Sequence, residues 1–233
     1  MQTIECHIEN EIATITLNRP QKANAYTQSM LRILDNFWTN IEQQARFAII
    51  QANGEKAFCA GADLLEMTQA RAEDALDLFS QRVFNRIATS RVMSIAAIQA
   101  PALGGGFELA LACDLRVATR NTWFSFPEVS KGLIPAAGGC TRLSQLVGTS
   151  IAKGVILGRQ KITAPQALQW GLIHRMVEKP QFDAFQWASN LLTDSPLAQQ
   201  LAKEVLSAPS LEKERLAEAI LYERKNNRSQ KDA

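Results

Sequence analysis

The sequence predicts an α/β fold: a core of alternating strands and helices over residues 1–177, followed by a helical C-terminal region over 178–233. Three observations carry this. Residues 3–8 and 12–17 alternate with period two and are rich in β-branched side chains, as half-buried strands are. Met30, Leu34, Phe37 or Trp38, and Ile41 recur at helical spacing. After Pro180 the punctuation is that of helices alone, with Ser195-Pro196 marking another start.

The remaining elements follow in order. A tight turn is expected near Glu9–Glu11, and Asn18-Arg19-Pro20 closes the second strand. Phe47–Gln51 is a short apolar run, read as a buried strand. Residues 71–89 read as a helix, with Ala75, Phe79, Val83 and Ile87 four apart. Ile95–Ile98 is a buried strand, followed by a turn and a helix that opens at three glycines. Leu115–Ala118, Trp123–Ser125 and Leu172–Val177 are further strand candidates. Between them Thr163-Ala-Pro-Gln166 matches a capping box, and Gly171 stands where a helix C-cap belongs. No repeat or low-complexity segment is visible.

Composition narrows the function. The 233 residues are 46% hydrophobic, enough for one sizeable core, and the formal net charge is only +2. Near-neutrality gives no electrostatic case for nucleic acid as a partner. Arg224, Lys225, Arg228 and Lys231 thicken the charge only at the end, where a solvated tail is expected. Four scattered cysteines read as reduced thiols, and two histidines make a zinc site or a serine–histidine triad a poor fit, so no metal is expected. The opening MQTIECHIEN is charged and alternating, unlike a signal peptide, so a cytoplasmic location is expected. Val92–Cys113 is mostly apolar, but Pro101, three glycines and Glu108 inside it argue for buried core and against a membrane span.

Three glycine-rich segments could carry chemistry: 56–64, 103–109 and 126–139. Gly104, Gly105 and Gly106 follow a buried strand and precede a helix, where free N–H groups suit a phosphate or an oxyanion. Glu108 lies one helical turn beyond Gly105. The plainer alternative is a tight turn into a buried helix, with Glu108 satisfied structurally. For Asp63 the plain alternative is a helix N-cap, and for Glu128 a surface loop.

Taken together, these segments resemble the crotonase, or enoyl-CoA hydratase/isomerase, superfamily. A-G-A-D-L at 60–64, A-L-G-G-G-x-E-L at 102–109, and F-x-x-P-E followed by G-L-I-P and G-G match that family in order and spacing. So do Asn18-Arg19-Pro20 with Asn24-Ala25, and Ala167-Leu168 with Gly171-Leu172-Ile173. Each motif is weak alone; the ordered set is specific. It implies a crotonase-like spiral of ββα units with a C-terminal helical trimerisation region.

The resemblance further implies an enoyl-CoA hydratase, adding water across a 2-enoyl thioester. An oxyanion hole would come from the backbone N–H groups of Ala62 and Gly105. Glu108 would act as base on water and Glu128 as acid toward the α-carbon. Lys22, Ala25, Ala60, Asp63 and Leu64 would bind the coenzyme A portion, with the backbone of this segment mattering more than the Asp63 carboxylate. Coenzyme A arrives with the substrate, so no separate cofactor is implied; a homotrimer or dimer of trimers is. Met93, Ala100 and Ala136 depart from the family pattern, standing where proline, glycine and glycine are common. The competing readings are another enolate reaction on the same fold (isomerase, dehydratase or decarboxylase) and a non-catalytic RNA-binding or scaffold protein.

Overall fold

The computed structural model describes residues 2–69, 71, 73 and 76–229. Its first two strands form the expected hairpin. β1 (Ile4–Glu9) runs antiparallel to β2 (Ile12–Leu17), with Ile4 opposite Leu17. Asn10 and Glu11 join them with φ of 49° and 61°, the left-handed pair that a two-residue hairpin demands. α1 (Gln28–Gln44) is capped by Thr27, whose side chain accepts from Met30 N. Met30, Leu34, Trp38 and Ile41 are buried along one face of it, as their spacing predicts.

From there the chain winds as a spiral of strand, short strand and helix. The first turn contains β3 (Phe47–Ala52), an extended stretch around Cys59, then α2 (Leu64–Gln69) and α3 (Phe79–Thr89). The second contains β4 (Met93–Ile98), β5 (Ala102–Leu103) and α4 (Gly105–Ala112). The third contains β6 (Leu115–Ala118), β7 (Trp123–Ser125), a 3-10 turn at Glu128–Lys131 and α5 (Gly139–Ile156). β8 (Ile162–Thr163), α6 (Ala164–Gln169), β9 (Arg175–Met176) and α7 (Pro180–Leu191) follow.

The first strand of each turn joins a six-stranded sheet ordered β1-β2-β3-β4-β6-β9, parallel from β2 onward. The second strands form a separate small sheet, β5-β7-β8, which an isolated bridge from Cys59 to Ala102 extends. Every residue of α4 is buried, which accounts for the apolar stretch around it. Among the described residues no helix is long and apolar enough to cross a membrane.

Two expectations need correction. The helix expected over 71–89 is interrupted: Glu73 and Leu76 are helical, Asp77 and Leu78 are not, and α3 starts at Phe79 after an extended Leu78 (φ −64°, ψ 94°). Val83 and Ile87 are buried as its spacing requires; Ala75 lies outside the described residues. The strand expected over Leu172–Val177 contracts to Arg175–Met176. Thr163 and Gln166 form the capping box of α6, and Gly171 (φ 72°) lies just past its end. Leu172 N and Ile173 N then turn back to Ala167 O, so these two apolar residues are core without being strand.

The contacts within the chain divide it into a compact unit ending at Trp187 and a second from Ala188. The second contains α8 (Pro196–Ser207), capped by the Ser195 side chain on Ala198 N, and α9 (Leu211–Ser229). Leu206, Leu211, Leu216, Ile220 and Tyr222 are exposed in it. Of the basic tail, Arg224 and Lys225 are exposed within α9; Lys231 lies outside the described residues.

Candidate active site

The Asn18-to-Asn24 segment is a structural clasp. Asn24 is 1% exposed with φ 52°; its side chain accepts from Arg19 N and donates to Asn53 O and Ala57 O. That lock holds the next residues against segment 60–63: Ala60 N donates to Ala23 O, Tyr26 N to Gly61 O, and Asp63 N to Tyr26 O. The Asp63 carboxylate is engaged on both oxygens. Oδ1 accepts from Leu65 N at 3.0 Å, capping α2, and Oδ2 meets Arg19 Nη1 at 2.6 Å. The hydrogen bond to Arg19 holds its pKa below the usual carboxylate range.

Segment 60–63 lies directly beside the start of α4. Gly61 has φ 94°, and a Cβ there would sit 3.1 Å from Gly105 N. Among the described residues, the N–H groups of Ala62 and Gly105 donate to no protein acceptor. For Gly105 this follows from its place in the first helical turn, whose amides have no partner within the helix.

Glu108, on the same helix, is 4% exposed, and its Oε1 accepts from Gly139 N at 2.8 Å. Glu128 opens the 3-10 turn after Pro127 and points back: a Cβ on Gly104 would lie 2.5 Å from its Oε1. Its Oε2 is buried without a hydrogen-bond partner in the protein. Neither glutamate forms an ion pair among the described residues.

All nine predicted site residues line one cleft of about 1570 Å³: Lys22, Ala25, Ala60, Ala62, Asp63, Leu64, Gly105, Glu108 and Glu128. Leu65, Met67, Leu78, Phe79 and Ser80 contribute to its wall.

The sequence profile of the family described as enoyl-CoA hydratase/isomerase matches residues 7–232. The chain belongs to the enoyl-CoA hydratase/isomerase family. It is 36% identical to the short-chain-enoyl-CoA hydratase of Clostridium acetobutylicum, over 85% of this chain and 78% of that one. It is 34% identical to the crotonyl-CoA hydratase of Syntrophomonas wolfei, over 84% and 77% of the two chains. The crystal structure of an enoyl-CoA hydratase from Bacillus anthracis superposes with a TM-score of 0.88 at 33% identity, covering 95% of this chain and 90% of that one. The crotonase-like α/β fold expected from the motifs is thus established.

The surroundings of the two carboxyls shift their titration in the same direction. Burial pushes Glu108 up to about 7, aided by the charge of Glu128 and opposed by backbone N–H groups of Gly139 and Ala137. Burial also raises Glu128. Near neutral pH the pair therefore retains a proton that isolated carboxyls would have lost.

The departures from the family pattern are benign. Met93 uses the N–H that a proline lacks, donating to Arg46 O. Ala100 and Ala136 have no positive φ, so neither position requires glycine. Four participants escaped the sequence reading. Tyr26 is 8% exposed; its hydroxyl would lie 2.2 Å from a Cβ on Gly105 and hydrogen-bonds to Ser80. Gln81 donates to Ala136 O, and Arg142 Nη1 to Ala137 O. Only the Gly138-Gly139 doublet signalled that loop in advance.

Proposed function

We propose that the protein hydrates short 2-enoyl-CoA thioesters using the backbone amides of Ala62 and Gly105 and the carboxyl groups of Glu108 and Glu128. The observation that carries this is the meeting, in one cleft, of two main-chain donors without a protein acceptor and two carboxyls that form no ion pair among the described residues. Addition of water to a conjugated thioester moves negative charge onto the thioester oxygen. Fixed amides stabilise that enolate, each contributing on the order of 3 kcal/mol.

Glu108 takes a proton from water as its oxygen bonds to the β-carbon. Glu128 gives a proton to the α-carbon as the enolate collapses. One ionised and one protonated carboxyl is the state this step uses. The charge of Glu128 helps hold Glu108 up, so the two carboxyls share the proton. A water bridging the two carboxyls would carry it to Glu128 before reaction.

Lys22, Ala25, Ala60, Asp63 and Leu64 line the portion of the cleft assigned to coenzyme A. Asp63 contributes through its backbone, since Arg19 and Leu65 occupy its carboxylate. Water addition by carboxylates needs no further cofactor. A homotrimer or dimer of trimers through the C-terminal helices fits the exposed Leu206, Leu211, Leu216 and Ile220. The four free thiols fit a reducing, cytoplasmic compartment.

The test is turnover of enoyl-CoA thioesters of graded length, with product stereochemistry recorded. Glu128→Gln should lower hydration by at least about a hundredfold; near-wild-type hydration in that variant would instead favour double-bond isomerisation. The wild-type kcat/KM profile should be bell-shaped, because the pair must hold one proton. Its upper limb is expected near the Glu108 value of about 7. A profile flat from about pH 6 to 9 overturns the one-proton state.

A further inference from the structure

We propose that the first turn of α3, through Ser80 and Gln81, is a positioning device that holds the oxyanion donor and the glutamate loop in register. The inference rests on the function proposed above. It begins with two neighbouring side chains on one short helix that face opposite halves of the site.

Ser80 is 6% exposed and hydrogen-bonds to the Tyr26 hydroxyl. Tyr26 stands against the backbone of Gly105, with its hydroxyl 2.2 Å from where a Cβ would be. The ring also meets Phe84 of α3 edge-on, centroids 5.7 Å apart. Ser80 therefore fixes the side chain that bounds the start of α4, where the Gly105 amide lies.

Gln81 Nε2 donates to Ala136 O at 2.7 Å, across 55 residues of chain. Ala136 immediately precedes the peptide units whose N–H groups, at Ala137 and Gly139, hold Glu108. Gln81 thus acts on Glu108 through the loop without touching it. Gln81 and Ala136 are both exposed, so the bond contributes little to stability and its loss leaves the fold intact. What it supplies is a further anchor for a loop that Arg142, Glu108 and its own backbone also hold.

The decisive experiment compares Gln81→Glu and Gln81→Ala with wild type, using crotonyl-CoA. Glu keeps the shape of Gln but cannot donate at neutral pH. Both variants should fold with wild-type circular dichroism and bind substrate with unchanged KM. Both should lose about tenfold in kcat, the weight of one hydrogen bond. With the Ala137 and Gly139 amides loosened, Glu108 loses groups that favour its ionised form, so the upper limb of the pH profile should move upward. The other titratable groups facing Glu108, namely Glu128, Arg142, Tyr26 and Cys140, are unchanged, and because Gln81→Glu adds a carboxylate of its own the shift of the limb is read from Gln81→Ala. Ser80→Ala, which removes the partner of Tyr26, should lower kcat without moving that limb. A Gln81→Ala enzyme with wild-type kcat and an unmoved limb overturns the proposal. Failure of the wild-type protein to hydrate any enoyl thioester overturns the functional reading instead.

Discussion

Glu108→Gln should make the protein inactive and, above neutral pH, more stable. The activity loss follows from removing the group proposed to accept the water proton, and turnover should fall on the order of 10⁴-fold. The stability gain follows from linkage. The carboxyl of Glu108 is raised from 4.5 to about 7 in the folded chain, so the native state holds the proton more tightly than the unfolded one. The stability it contributes is fully present below about pH 4.5 and is lost as pH rises through about 7. A shift of that size corresponds to about 3 kcal/mol. Gln carries no charge at any pH and keeps an oxygen for Gly139 N. Thermal unfolding of wild type and variant at about pH 5 and pH 8 checks this: the variant's advantage should appear at the higher pH and shrink at the lower. An advantage that does not change with pH would show that the charge of Glu108 carries no destabilising burden in the native state.

Gly105→Ala should abolish most activity without replacing a titratable group. A Cβ at this position would lie 2.2 Å from Tyr26 Oη and 2.9 Å from its Cε1 and Cζ. Tyr26 cannot swing aside, because Phe84 meets its ring and Ser80 binds its hydroxyl. The start of α4 must shift instead, and the Gly105 amide moves with it. Loss of that donor should lower kcat/KM by about 10²–10³-fold, and the overpacking should cost about 1–3 kcal/mol of stability. The ratio of kcat/KM in the variant to wild type, measured on protein shown folded by circular dichroism, decides the matter. A variant that keeps wild-type kcat/KM removes Gly105 from the oxyanion site.

Much of this arrangement is legible in the residues because it rests on local rules. Alternation defined β1 and β2, and helical spacing defined α1, because each buries one face only. The α6 cap was legible because Thr163 and Gln166 satisfy each other within one turn. The stretch from residue 71 onward reads as one continuous helix because apolar spacing does not register the break at Asp77 and the extended backbone at Leu78. Leu172 and Ile173 read as strand because burial alone makes a residue apolar, whatever its hydrogen bonds.

The nine site residues fell into one cleft because the motifs preserve backbone geometry at fixed positions along the chain. Tyr26, Ser80, Gln81 and Arg142 were not legible, since each acts through a long-range contact. Gln81 reaches a carbonyl 55 residues away, and no local pattern encodes that pairing. Asp63 shows the reverse: its plain reading as a helix cap is what its carboxylate does, beside its bond to Arg19.

The donors at Ala62 and Gly105 belong to peptide bonds, and this separates two kinds of heritable change. A point substitution can swap a reactive acid for another side chain and leave the anchor for the thioester intact. It cannot delete an amide; it can only bend the path of the chain that presents one. Under the proposed function, exchanging two side chains would give the scaffold a new reaction, whereas loss of its hold on the thioester oxygen would require a change of backbone.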